Sequence, residues 1–254
     1  MNELKVQSVS KRFGGLLALD DVSLSAEPGR VTGLIGQNGA GKTTLLDVIA
    51  QRTKADVGRV RVGDVELTGV GSFQASRWVA RAFQQLRMFG SLSVIDNVIA
   101  AMPGNLGESL WREVAMPWRV SMQRREMRDR AHAILDDFRL SRHADSLCGT
   151  LSYGIQKMVS LARLRASSAP VLLIDEPTSG LAPDAIANIL ERIRALRDEG
   201  RVVVLVEHDM AVMFAASDHI VVLNQGKVLT SGTPQQIREN TQVRSVYFGE
   251  RSTP

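Results

Sequence analysis

From residue 36 to 44 the chain reads Gly36-Gln37-Asn38-Gly39-Ala40-Gly41-Lys42-Thr43-Thr44, glycines followed by a cation and two hydroxyls. Glycines at these intervals let the backbone curl until successive N–H groups point inward, which makes a cradle for phosphate oxygens. Lys42 then supplies a point charge to the β and γ phosphates, and Thr43 a hydroxyl for Mg²⁺. A helix opening at Thr44 aims its positive end at the same anion. Farther along, Val171-Leu-Leu-Ile174 is an apolar run that ends in Asp175-Glu176. Carboxylates at the tip of a strand can hold Mg²⁺ through Asp175 and polarise an attacking water through Glu176. Together the two features describe a nucleotide triphosphatase. Between them lies Leu151-Ser152-Tyr153-Gly154-Ile155-Gln156-Lys157. Ser152 stands where it can cap a helix, with the bare backbone of Gly154 in the first turn, an arrangement able to receive a γ-phosphate. Alone, that segment reads as an ordinary Ser-capped helix.

These groups need elements to hold them. Val31–Ile35 reads as a strand running into the glycine cluster, and Thr43–Ala50 as the helix after it. Val60–Leu67 alternates about Gly63-Asp64, a hairpin signal. From about Asn97 to Ser168 the character turns helical, with Ala131, Ile134, Leu135 and Phe138 at helical spacing inside Arg124–Leu140. After Pro170 come a buried strand at Val171–Ile174 and a helix whose inner face is Ile186, Ile189, Leu190, Ile193 and Leu196. Gly200 stands at its end as a cap. Val202–Val206 is an uninterrupted apolar run of the kind that central parallel strands carry. Ile220–Leu223 is another, closed by a turn at Gln225-Gly226. Strand and helix in alternation imply an α/β fold with right-handed crossovers.

Composition sets outer bounds. The 254 residues carry 31 basic against 27 acidic groups, a net charge of +4 spread along the chain, which gives no argument for nucleic acid. One cysteine, Cys148, rules out an intrachain disulfide framework and reads as a buried hydrophobe. No run approaches the roughly 18 apolar residues of a membrane span, and the first residues lack the apolar stretch of a secretory signal. Arg124, Arg125, Arg128 and Arg130 read as a solvated helix face, and Trp111 and Trp118 as core.

In position, the Leu151–Lys157 segment resembles the signature motif of ATP-binding cassette (ABC) ATPases, whose common form is Leu-Ser-Gly-Gly-Gln. The resemblance then covers nearly the whole chain. Phe13 resembles the aromatic that stacks on adenine. Gln84, in Ala82-Phe-Gln-Gln85, resembles the glutamine that senses Mg²⁺ and the membrane partner. Pro177–Pro183 resembles the loop that follows the catalytic glutamate, and His208, in Glu207-His208-Asp209, the switch histidine. Arg12–Ala18, the Tyr153-bearing signature and the ending Gly232–Glu250 are similar to ATPases of branched-chain amino acid importers and of their urea and amide relatives. The resemblance implies one cassette over 1–254. Residues 1–96 and 169–254 form its RecA-like mixed-sheet core with an N-terminal antiparallel β subdomain, and about 97–168 form a helical signature subdomain. It implies ATP and Mg²⁺ as ligands, with Glu176, His208, Lys42 and Gln84 catalytic and Thr43, Gln84 and Asp175 at the metal. Phe13, the loop residues 36–44, and Ser152 and Gly154 (these two toward a partner's ATP) would bind nucleotide.

Implied partners are a second ATPase subunit, two membrane permeases and, indirectly, a solute-binding protein, with the chain peripheral on the cytoplasmic face of the membrane. The alternatives are an ABC ATPase without transport, or a nucleotide-binding regulatory module with little turnover. No tandem cassette supports the first, and Glu176 and His208 speak against the second; an exporter is disfavoured by the subfamily resemblance alone. Ile155 stands where the family has glutamine, with Gln156 one place later, and Ala182 where it has aspartate, with Asp184 two places on. Both motifs act across the family dimer. The expectation is therefore an asymmetric pair, with full chemistry at this chain's own loop and weaker catalysis at the site it completes.

Overall fold

A computed structural model describes the backbone of residues 2–82, 88–104 and 117–248. Gln84, Leu86, Arg87, Trp111 and the side chain of Trp118 lie outside the described part.

Two sheets share the first half of the chain. β1 (Leu4–Phe13), β2 (Leu16–Ala26), β4 (Val57–Val62) and β5 (Val65–Glu66) make an antiparallel sheet in the order β2-β1-β4-β5. The second has six strands in the order β10-β9-β3-β8-β7-β6. Its members are β3 (Arg30–Gly36), β6 (Val79–Ala82), β7 (Val171–Asp175), β8 (Val202–Val206), β9 (His219–Asn224) and β10 (Lys227–Gly232). Strands β9, β3, β8, β7 and β6 run parallel, and only β10 turns back. Every residue of β7 and β8 is buried, as central parallel strands covered on both faces require. The mixed α/β fold read from the sequence is therefore correct.

Helices clothe the six-stranded sheet. α1 (Lys42–Ile49), the short α2 (Ser72–Ala75) and α3 (Val94–Ile99) precede α4 (Pro117–Asp137) and α5 (Tyr153–Ala166). α6 (Pro183–Asp198), α7 (Met210–Ala216), α8 (Pro234–Glu239) and α9 (Thr241–Phe248) follow. One core joins α3, α4, α5, α6 and a face of the large sheet through Val98, Leu135, Leu161, Leu172 and Ile193. The other joins the antiparallel sheet to α1 and the opposite face through Val6, Leu45, Val60, Val171 and Val204. Burying such aliphatic side chains contributes about 1.5–3 kcal/mol each before entropy is counted, so these two cores fix the sheet.

Several expectations shift in detail. The helix read from Arg124 begins at Pro117, because proline in a first turn loses no hydrogen bond the helix needs. It ends at Asp137, and Arg139 turns left-handed at φ 57°, so Leu140 is core without being helical. Gly200, at φ 80°, follows α6 as expected. The exposed positions of Arg124, Arg125, Arg128 and Arg130 fit a solvated face, and Cys148 is fully buried with its sulfur 3.6 Å from Met88 Sδ.

Candidate nucleotide site

Parallel strands all finish on the same side of a sheet, and loops at their carboxyl ends are where open α/β sheets place ligands. The glycine loop leaves β3 there. Asp175 ends β7 with Glu176 just after it, Glu207 and His208 follow β8, and Gln84 follows β6 two residues on in sequence. Register makes the alignment explicit: Leu34 and Asp175 both pair with Val206.

The loop itself is shaped to receive an anion. Gly41 precedes α1 at φ 101°, and no side chain caps the helix, so its first N–H groups face the concavity. A Cβ on Gly41 would stand 2.6 Å from the Ala18 carbonyl oxygen, so only glycine fits. Lys42 is 8% exposed; its Nζ donates to the Gly36 carbonyl at 2.6 Å and to the Gln37 carbonyl at 3.0 Å. Burial lowers its pKa, while the charges of Glu176 and Asp175 oppose that shift. Gln37, Asn38, Gly39 and Thr43 are exposed, Ala40 is buried and Thr44 is half-buried. Ala40 is tied down instead: Gly226 N–H donates to its carbonyl, and the Gly226 carbonyl accepts from Asp20 N–H.

Across the sheet edge, Glu176 sits at φ 50° with its N–H donating to the Val206 carbonyl at 2.9 Å. That left-handed backbone is unusual outside glycine and turns the side chain toward His208, whose Nε2 lies 2.6 Å from Glu176 Oε1. His208 is half exposed, so the pair is open to a ligand on one side. Asp175 is held by Arg81, which spans from Asp175 Oδ2 at 2.9 Å to Asp47 Oδ1 at 2.6 Å. Glu207 is buried; it accepts from the N–H and hydroxyl of Thr178, and burial raises its pKa despite them.

Ser152 occupies the N-cap position of α5 with φ −60° and ψ 152°, yet its hydroxyl caps nothing. The expected Ser cap is therefore only positional, and an exposed hydroxyl beside Gly154 is what the surface presents. Ile155 packs against the core, and Gln156 turns back to donate to the Leu151 carbonyl at 2.8 Å. Ala182 is the N-cap of α6, extended at φ −70° and ψ 155° with no side-chain acceptor for the first turn. Restoring a carboxylate there has a readable consequence. Ala182→Asp is expected to stabilise the fold by about 1 kcal/mol in urea denaturation, since Asp caps where Ala cannot. An unchanged midpoint would mean this helix end is satisfied some other way.

Phe13 closes β1, is 49% exposed and carries Lys11 Nζ 5.3 Å from its ring centre. It pairs with Leu16, on the strand whose Ala18 carbonyl would meet a Cβ on Gly41. Gln84 lies outside the described residues. Arg81 and Asp47 went unnoticed in the sequence, where nothing local marks them, and the Gln225-Gly226 turn is legible there without its link to the loop.

The family model described as "ABC transporter" matches residues 19–179, which include the glycine loop, the signature segment and both strand-end carboxylates. This chain belongs to the ABC transporter family. A second model, "Branched-chain amino acid ATP-binding cassette transporter", matches residues 227–252 of the cassette. The high-affinity branched-chain amino acid transport ATP-binding protein BraF of Pseudomonas aeruginosa is 36% identical, aligning 97% of this cassette with 98% of its own length. A solved nucleotide-free ATP-binding cassette from an ABC transporter superposes with a TM-score of 0.84 at 29% identity, covering 98% of this chain and 100% of that one. A dimeric post-hydrolysis cassette bound to ADP and phosphate superposes at 0.75 with 26% identity, over 91% of this cassette and 98% of that chain.

Proposed function

We propose that this cassette hydrolyses ATP to drive import of branched-chain amino acids or related small polar solutes. The observation that carries the reading is one sheet edge holding an uncapped helix start with Lys42 and, facing it, a Glu176–His208 pair at 2.6 Å. The residues fit a nucleotide: the cradle admits no Cβ at Gly41, and a buried ammonium waits in it on two backbone carbonyls with no carboxylate partner among the described residues. They also fit Mg²⁺, which takes few protein ligands and completes its shell with phosphate oxygens. Thr43 offers a hydroxyl and Asp175 a carboxylate oriented by Arg81, with Gln84 as a third ligand. When bound, the cation neutralises charge on the phosphates.

In this reading Lys42 and the α1 N–H groups hold the β and γ phosphates, and Phe13 stacks on the base. Glu176 orients the attacking water and accepts its proton, while His208 keeps the carboxylate aimed and meets the γ-phosphate. Two cassettes close face to face, so that Ser152 and Gly154 complete the partner's site. Ile155 and Ala182 weaken that contribution, which makes the pair asymmetric. The core and helical units divide the chain near residues 97 and 168.

Among the described residues no helix is long and apolar enough to cross a membrane. In this reading the solute path belongs to partner permeases. An open groove of 1080 Å³, lined by Phe73, Arg77, Arg81, Met102 and Ser167, lies beside the strand that leads to Gln84. It is the proposed seat of a permease helix on the cytoplasmic face. Phosphate release from the purified cassette, alone and with permeases and binding protein in liposomes, tests the reading. Turnover stimulated by an occupied binding protein is expected. Turnover indifferent to permease and solute would leave an ATPase that moves nothing.

A further inference from the structure

Lys157 is a buried cation with no carboxylate of its own. It is 5% exposed, and among the described residues its Nζ makes no ion pair. The ammonium instead donates to the backbone carbonyl of Glu176 at 2.6 Å and lies 5.1 Å from the centre of the Tyr153 ring, one turn earlier on α5. Burying an ammonium on a single carbonyl and a ring face is costly, and an apolar residue of similar length would pack there without that cost. Burial lowers its pKa, opposed by the charges of Glu207 and Glu176.

The residue it reaches is the one whose backbone is unusual. The Glu176–Thr178 stretch is pinned from β8 by two devices, Glu176 N–H on the Val206 carbonyl and Thr178 on Glu207. Lys157 is the polar tie to the same stretch from α5. Apolar contacts run parallel to it: a Cβ on Gly180 would touch the Tyr153 ring at 3.6 Å, and one on Gly154 would touch Leu181 at 3.6 Å. The start of α5 is thus packed on the segment that follows Glu176, with a charged strut at its centre.

We infer that Lys157 is a positioning residue which, braced by Tyr153, couples the first turn of the signature helix to the backbone of Glu176. It holds the left-handed turn that aims the carboxylate at His208 and transmits displacement of Ser152 and Gly154 to that turn. The inference rests on the proposed role of Glu176 as the base. A chain can then report through Lys157, to its own hydrolytic centre, what its signature turn meets on a partner.

The test uses the full-length protein with Lys157→Met and Lys157→Arg. Lys157→Met is expected to lower kcat by about 10- to 100-fold, the scale of a misaligned reacting group, while the Kd for ATP moves less than about threefold. In the nucleotide-free protein, deuterium exchange of amides 176–182 should quicken, and Lys157→Arg, which keeps a donor, should restore both rate and protection. If the Met variant does not fold, Lys157→Gln, a donor too short to reach the carbonyl, should give the same split between kcat and Kd. A kcat within about twofold of wild type, exchange left unchanged, or affinity and rate falling together would overturn the inference. Glu176→Gln run alongside separates the two failures. An inactive Gln variant beside a fully active Met variant defeats the strut alone, and an active Gln variant defeats the base reading and the strut with it.

Discussion

Glu176→Gln is expected to cut ATP turnover by about 10²- to 10⁴-fold, the usual contribution of a positioned general base, while ATP still binds. The substitution keeps shape and removes only the basicity. Gln can still accept from His208 across the 2.6 Å contact, and the φ 50° backbone is fixed by Val206 and Lys157 rather than by the carboxylate. Phosphate release and ATP affinity measured together therefore distinguish loss of chemistry from loss of the site. Light scattering should show the variant accumulating as an ATP-bound dimer, since closure no longer ends in hydrolysis. The asymmetry built on Ile155 and Ala182 sharpens the experiment when the partner is a different chain. Glu176 here and the equivalent glutamate of the partner would then be changed separately, and the larger loss should follow Glu176. Equal losses would remove the asymmetry; turnover at the wild-type rate would remove Glu176 from the mechanism.

Why Glu176 could be found without coordinates is a matter of range. The glycine loop, the Asp175-Glu176 strand end and Glu207-His208 each sit within a few consecutive residues, and the apolar strands before them are legible from their unbroken runs. What they touch is not local. Arg81 meets Asp47 and Asp175 across 34 and 94 residues of sequence: the pairing of β6 with β7 brings it to Asp175, and the packing of α1 on the sheet brings it to Asp47. Gly226 lies in a hairpin turn that the sequence marks clearly, yet its bond to Ala40 of the loop depends on β9 lying next to β3. Ser152 shows the opposite failure, a local rule that the packed structure does not use: the residue takes the N-cap backbone but its hydroxyl makes no capping hydrogen bond. Strand β6 carried no marking either, because four residues at a sheet edge are too few for periodicity to register. Residue types near the ligand were readable; the second set of contacts that holds them came from topology.

Lys42→Met should weaken nucleotide binding sharply and abolish turnover while leaving the empty protein as stable as before or more so. Charged hydrogen bonds to phosphate are worth roughly 1.5–3 kcal/mol each, so losing the ammonium weakens ATP by about tenfold to more than a hundredfold. The empty fold feels the opposite sign. Burial lowers the Lys42 pKa from its ordinary 10.5, more than Glu176 and Asp175 raise it, so folding disfavours the charged amine relative to the unfolded chain. A cation whose pKa is lower folded than unfolded is held charged at a cost at every pH below its folded value; that cost fades as pH rises from there and is gone above 10.5. Methionine keeps the buried stem and removes the charge, so urea denaturation at neutral pH should place the empty variant at or above wild type, with the difference closing in alkali. ATP at a hundred times the wild-type Kd should then stabilise wild type by about 2.7 kcal/mol and the variant by only about 0.4–1.4 kcal/mol. A variant that is less stable when empty would mean that the bonds to Gly36 and Gln37 hold the loop together. One that is stabilised by ATP as wild type is would remove Lys42 from the site. The expected pair of results describes a residue kept at the expense of stability, ready for an anion the empty fold does without.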